Sequence, residues 1–152
     1  MSKLTIRPAT IGDLEVIVDF NARIASETED TALDRDTLRD GVRALLGDPA
    51  KGRYFVACMD DDVVGQIMHT REWSDWRNGD IWWIQSVYVH ADHRRRGVFA
   101  SLYRHLQQLA EAAPGVVGLR LYVEVENAPA QATYTRLGMD DASYRVMQEI
   151  FR

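Results

Sequence analysis

Apolar and polar positions along this chain fall into blocks whose period predicts one element after another. Leu4-Thr5-Ile6-Arg7 alternates as a short strand that Pro8 stops. Thr10-Ile11-Gly12-Asp13 reads as a helix start with a capping box, and Leu14, Ile17, Val18, Asn21 and Ile24 follow at helical spacing. The stretch Ser26–Arg35, with Glu27, Glu29, Asp30 and Asp34, has no period and predicts a loop. Leu38, Val42, Leu45 and Leu46 line one side of a second helix that ends at Gly47-Asp48-Pro49. Tyr54–Met59 and Val63–Trp73 read as strands around the hairpin turn Asp60-Asp61-Asp62, and Ser74–Asp80 makes a second hairpin. Ile81–Val89 is apolar, aromatic and β-branched, the mix of a buried strand. Val98, Leu102, Leu106 and Leu109 form the face of a helix broken by Pro114-Gly115. Leu119, Leu121, Val123 and Val125 then alternate with Arg120, Tyr122, Glu124 and Glu126, the cleanest strand pattern in the chain. Asn127 caps a last helix with Pro129 in its first turn and Gly138 behind Leu137, and Tyr144–Phe151 predicts a closing strand.

The resulting order, β-α-α-β-β-β-α-β-α-β, describes an α/β (α+β) protein with a mixed, mostly antiparallel central sheet flanked by helices. With 152 residues, 46% of them hydrophobic, and no repeat or linker, the chain reads as a single domain over 1–152 with a sizeable core. One cysteine leaves no internal disulfide framework, and Cys58, inside the apolar run Tyr54–Met59, reads as a small core residue. The four histidines are scattered, so no metal site is expected. The opening residues lack the apolar stretch of a signal peptide and no run is long enough to cross a membrane, which makes a cytoplasmic location the expectation. The 23 acidic against 18 basic residues, net −5, argue against a nucleic-acid partner despite one basic cluster.

That cluster is His93-Arg94-Arg95-Arg96-Gly97, set between the buried strand and the following helix. A strand led through a basic turn into a helix N-terminus offers unpaired backbone N–H groups, the positive end of a helix dipole and arginine donors, a place suited to phosphate. The stretch resembles motif A of the GNAT superfamily of N-acetyltransferases, Gln/Arg-x-x-Gly-x-Gly/Ala, which binds the pyrophosphate of acetyl-CoA. Arg94, Arg95, Arg96, Gly97 and Val98 match its first five places, followed by Phe99 and Ala100. Phe99 departs from the usual Gly or Ala; backbone amides do the cradling, so it is compatible if its ring packs into the core. Downstream, Asn127, Ala130, Tyr134, Leu137 and Gly138 resemble the second GNAT signature, Asn-x-x-Ala/Pro-x-x-x-Tyr-x-x-Leu-Gly.

The resemblance covers nearly the whole chain and implies an acetyl-CoA-dependent N-acetyltransferase acting by direct transfer to a primary amine of a small molecule or protein. It implies that Asn127 contacts the pantetheine arm and that Tyr134 protonates the leaving thiolate. It also implies that Val87, Tyr88 and Val89 lie on a strand splayed from its neighbour, with backbone groups pairing with the arm and one N–H steadying the oxyanion. Neither metal nor membrane enters the reading, and a homodimer is compatible with it. Where many relatives carry a general-base Glu on the central strand, this chain has Gln85, which cannot take a proton; Glu72, Tyr122, Glu124 and Glu126 remain as alternatives. Gln85 also keeps a second reading open, a non-catalytic acyl-CoA-binding or sensing domain. Trp73, Trp76, Trp82 and Trp83 crowd one hairpin, either as core and edge packing or as a wall for a cationic or aromatic amine.

Overall fold

A computed structural model describes residues 3–152. Contacts divide them into two compact units, one running to Tyr122 and the other spanning Val123–Arg152. In the first, strands β1 (Leu4–Pro8), β2 (Arg53–Met59), β3 (Asp62–Ser74), β4 (Gly79–Val89) and β5 (Val116–Leu121) form one sheet in sequence order. Neighbours are antiparallel except β4 and β5, which run parallel. The parallel step requires a crossover, and helix α3 (Val98–Ala112) supplies it. Helices α1 (Leu14–Glu29) and α2 (Arg35–Leu46) connect β1 to β2. The mixed, mostly antiparallel sheet with flanking helices is the expected fold class. Among the described residues no helix is long and apolar enough to cross a membrane.

Strand alternation decides which helix covers which face. Tyr54 and Met68 pack with Leu14, Ile17 and Val18 of α1 and with Leu38, Val42, Leu45 and Leu46 of α2. Phe55 points the other way and meets His105 of α3, ring centroids 5.2 Å apart. Val98, Leu102, Tyr103, Leu106 and Ala110 are the buried stripe of α3. Gly65 lets that helix come close, because a Cβ there would lie 2.9 Å from the Tyr88 carbonyl and 3.3 Å from both Leu102 and Val98. Cys58 is buried and free, as a core residue should be.

The start of α1 is fixed by charge as well as apolar spacing. Asp13 accepts from the Thr10 backbone N–H at 2.8 Å and from both Arg7 terminal nitrogens at 2.8 and 2.9 Å. The Arg7 guanidinium holds the Asp13 carboxyl below the usual carboxylate range. Deeper in, the buried Gln66 donates to Ser86 at 2.8 Å, Ser86 to Asn21 at 3.0 Å, and Asn21 to the Tyr54 hydroxyl at 3.0 Å. This chain of polar groups ties α1 to three strands through partners that burial makes obligatory.

Three expected elements differ. The acidic stretch Ser26–Arg35 is not a loop throughout: α1 continues to Glu29 and ends at Asp30 in a left-handed conformation (φ 48°). Ala25 is buried and Glu27 is held by partners outside the helix, so tertiary contacts extend it past its apolar period. The strand expected through Glu126 stops at Leu121, where its ladder with β4 stops. In the second unit, the Asn127 N–H bonds the Glu124 carbonyl at 3.0 Å, making a turn of the last alternating residues. The closing strand expected over Tyr144–Phe151 is absent, and Tyr144, Val146, Met147, Ile150 and Phe151 are exposed. Alternation marks a face, but a strand needs a ladder partner, and no backbone hydrogen bond of that segment occurs among the described residues.

The second unit carries helix α4 (Ala128–Arg136). The Asn127 side chain caps it by accepting from the Ala130 N–H at 3.2 Å. Its end is a Schellman turn: Gly138 has φ 108°, the Met139 N–H bonds the Tyr134 carbonyl at 3.0 Å and the Gly138 N–H bonds the Thr135 carbonyl at 3.1 Å.

Candidate active site

The site begins with a defect in the sheet. β3 accompanies β4 over Gly79–Val89, but Met68 pairs with Ser86 whereas His69 pairs with Ile84. Gln85 is thus the extra residue of a β-bulge. The β5 ladder ends at the neighbouring pair, Ile84 with Leu121. From Gln85 to Val89, β4 therefore runs on with no strand on its β5 side among the described residues. Apart from the Val89 carbonyl, which accepts from the Arg94 side chain at 2.9 Å, the backbone groups on that side have no ladder partner among the described residues and can pair with an extended ligand.

At the end of that strand lies the basic loop. A single 3-10 turn, Ala91–His93, leads to Arg94 in extended conformation, Arg95 at φ 64° and Gly97 at φ 82°, and α3 begins at Val98. A non-glycine residue held left-handed costs about 1–3 kcal/mol, and such strain concentrates at ligand clamps. The N–H groups of Arg95, Arg96 and Gly97 have no backbone acceptor among the described residues, and they run into the N-terminus of a 15-residue helix with no acidic residue in its first turn. Such a run of amides at a positive helix end can accept an anion. The side chains of Arg95 and Arg96 are exposed and make no hydrogen bond or ion pair among the described residues.

Arg94 is different. Its Nε donates to the Val89 carbonyl at 2.9 Å and its Nη2 to Glu27 at 2.7 Å, while its guanidinium carbon lies 5.3 Å from the centre of the Tyr88 ring. Tyr88, buried against Phe20 with ring centroids 5.1 Å apart, donates its hydroxyl to the same carboxylate at 2.5 Å. The Tyr88 and Arg94 donors hold the Glu27 carboxyl below its ordinary range, and burial beside that carboxylate pushes the Tyr88 phenol up. Glu27 has no signal of its own in the sequence beyond standing in an acidic stretch. Val98 is fully buried, Val87 and Phe99 are half-buried, and Ala100 is exposed. The Phe99 ring is thus less enclosed than a core packing role predicts.

On the α1–α2 face beside the point where β4 and β5 part, Glu72 accepts from the Trp83 indole N–H and from Arg120 at 3.0 Å. Arg120 lies over the Trp83 ring at 5.7 Å, and Tyr122 packs on Trp83 with ring centroids 4.5 Å apart. Gln85 is exposed and donates to Thr70 at 2.6 Å. Glu72 and Tyr122 thus share the cluster around Trp83, and in the second unit Glu124 accepts from the Glu126 N–H at 2.9 Å. The four tryptophans divide: Trp82 is buried, Trp83 half-buried, and Trp73 and Trp76 are 62% and 86% exposed. Packing accounts for the first two and leaves the last two facing solvent. In the second unit Tyr134 is half-buried on α4, two turns from Asn127. Among the described residues no three His, Cys, Asp or Glu side chains cluster as metal ligands.

The chain is 29% identical over 136 residues, 88% of its length and 72% of the relative's, to the phosphinothricin N-acetyltransferase of Streptomyces viridochromogenes. The crystal structure of a protein described as a possible acetyltransferase from Clostridium difficile 630 superposes with a TM-score of 0.92 at 47% identity, covering 98% of this chain and 99% of that one. The fold is also that of aminoglycoside N-acetyltransferase AAC(6')-Iy in complex with CoA, with a TM-score of 0.81 at 17% identity over 100% of this chain and 97% of the other. The sequence model of the acetyltransferase (GNAT) family matches residues 15–139, and the chain belongs to that family.

Proposed function

We propose that residues 1–152 act as one cytoplasmic N-acetyltransferase domain that moves the acetyl group of acetyl-CoA to a primary amine of a small molecule or protein. The observation that carries this reading is a coincidence of place: the unpaired stretch of β4 runs directly into the amide-lined loop. An extended arm ending in a pyrophosphate needs both, in that order. The Val87–Val89 backbone would hold the arm, and the Arg95, Arg96 and Gly97 amides, the start of α3 and the two exposed arginines would hold the phosphates. Asn127 is assigned to the arm as well, on the strength of the second sequence signature. Acetyl-CoA supplies a thioester whose carbonyl accepts the amine, so that an amide forms as the C–S bond breaks.

The protein's part is placement and proton handling. A β4 N–H beside the bulge steadies negative charge on the carbonyl oxygen. The Tyr134 phenol gives a proton to the departing sulfur. An alkylamine with a pKa near 10.4 must first lose its own proton, and Gln85 cannot take it. Glu72, two residues along β3 from the Thr70 partner of Gln85, is the base favoured in the first unit, with Tyr122, Glu124 and Glu126 as the alternatives, taking the proton directly or through water. The exposed edge of Trp83, Tyr122 and Arg120 forms the wall on which the acceptor rests.

A thiol-release assay with acetyl-CoA against polyamines, aminoglycosides, amino acids and peptide N-termini tests the reading. Release of CoA thiol with at least one class is expected. Tight acetyl-CoA binding without release on any of them would favour the second reading, an acyl-CoA sensor, for which the loss of the usual base at Gln85 is the supporting observation.

A further inference from the structure

We propose that Glu27, in the last turn of α1, is a positioning residue for the phosphate loop, acting through Arg94. Arg94 occupies the first place of the basic motif, yet its side chain is already committed. Its Nε is taken by the Val89 carbonyl, its Nη2 by Glu27, and its flat face lies against Tyr88. A guanidinium fixed by two bonds in different directions and by a ring has little freedom left to turn toward a ligand. What it does fix is its own backbone. The next residue, Arg95, is the left-handed one from which the run of free amides begins. Val89, at the other end of the grip, is the last residue of the unpaired β4 stretch. Arg94 thus clasps the two ends of the turn between strand and loop, and Glu27 fixes the clasp to α1.

Glu27 is suited to that task. Each of its oxygens has one donor, Arg94 on one and Tyr88 on the other, so its orientation is fixed and its carboxylate kept ionised. Tyr88 in turn rests on Phe20 of the same helix. The loop is therefore held in its amide-presenting form by a helix that covers the other face of the sheet from α3.

This inference rests on the reading that the Arg95–Gly97 amides bind the CoA phosphates, and the experiment separates the two. CoA affinity would be measured by calorimetry, at low and high salt, for wild type, Glu27→Gln, Glu27→Asp, Arg94→Gln and the Glu27→Gln/Arg94→Gln double variant, with thermal unfolding as a check on folding. Glu27→Gln and Arg94→Gln are each expected to weaken CoA about tenfold, and the double variant no further than either, since both break one clasp. Glu27→Asp, which keeps the charge, should recover part of the loss. The loss should persist at high salt, as it does not arise from an Arg94–phosphate attraction. In turnover assays the KM for acetyl-CoA should rise with kcat unchanged within about twofold. Wild-type CoA affinity in folded Glu27→Gln would overturn the proposal. So would tighter binding, because Arg94 would then be a phosphate ligand that Glu27 holds back. Additive losses in the double variant would also overturn it. A wild type that binds no CoA removes the assignment of the loop itself, and this proposal with it.

Discussion

The imidazole of His69 stacks on the indole of Trp82 with ring centroids 4.0 Å apart and planes inclined by 20°. His69 is fully enclosed, and neither of its ring nitrogens nor the Trp82 Nε1 has a hydrogen-bond partner among the described residues. Phe55 lies on a nearly parallel plane, 6.4 Å from the imidazole. The ring behaves as a flat apolar filler between β3 and α3, and burial pushes its pKa down from 6.5 to about 4.

A depressed histidine pKa means that the unfolded chain takes up a proton which the folded one refuses. Above pH 6.5 both states are neutral at this site and it adds no pH dependence. Between pH 6.5 and 4 the unfolded state gains the proton, so stability falls as the pH falls, by about 3 kcal/mol over the window. His105, also lowered by burial, acts with the same sign. Urea unfolding across that range should show this slope, and His69→Leu should flatten it while costing some stability at pH 7.5. An unchanged slope in the variant would place the acid sensitivity elsewhere.

Gly97 stands at φ 82° with open space around it, so its requirement is conformational and not steric. Gly97→Pro demands φ near −65° and removes an N–H from the anion cradle, and is expected to abolish acetyl-CoA binding by calorimetry in the folded protein. Arg95→Gln and Arg96→Gln should weaken binding less, and by an amount that shrinks as salt is raised.

Phe99 is half-buried, so truncating it should cost less than the 3–5 kcal/mol typical of an enclosed ring. Phe99→Ala is expected to lower stability by about 1–2 kcal/mol, with CoA affinity per folded molecule close to wild type. A stable variant with much altered affinity would show that the ring serves the ligand.

Tyr134→Phe removes one hydroxyl. If that hydroxyl protonates a thiolate whose conjugate acid has a pKa near 8.5, turnover should fall by about 10²–10⁴ while the acetyl-CoA isotherm persists. Wild-type turnover at every pH tested would take Tyr134 out of the mechanism.

The periodic elements were legible in the sequence because period is a property of the covered face: the α3 stripe from Val98 to Leu106 and the β2 and β3 runs fold as their spacing predicts. The turn itself was legible too, since a glycine after three arginines separates strand from helix and takes φ 82° there. What escaped depends on partners distant along the chain. Glu27 meets Arg94 across 67 positions, and no local pattern announces that pair. The bulge at Gln85 is a matter of register between two strands, invisible in either alone. Tyr144–Phe151 shows the converse, an alternating pattern with no ladder to join.

Gly65 gives the molecule an asymmetry of tolerance. The bare backbone at that position lets the first two turns of α3 settle on β3, and those turns carry the amide loop at their head. A single methyl group there would press first on the Tyr88 carbonyl of β4, at 2.9 Å, and then on Val98 and Leu102 at the head of α3, both at 3.3 Å. On the opposite face Trp83, Glu72 and Arg120 meet through their side chains, with Tyr122 packed on the Trp83 ring. Substitution at Gly65 therefore disturbs both the strand and the helix that flank the basic loop, whereas exchange of Glu72 or Arg120 changes side-chain contacts alone.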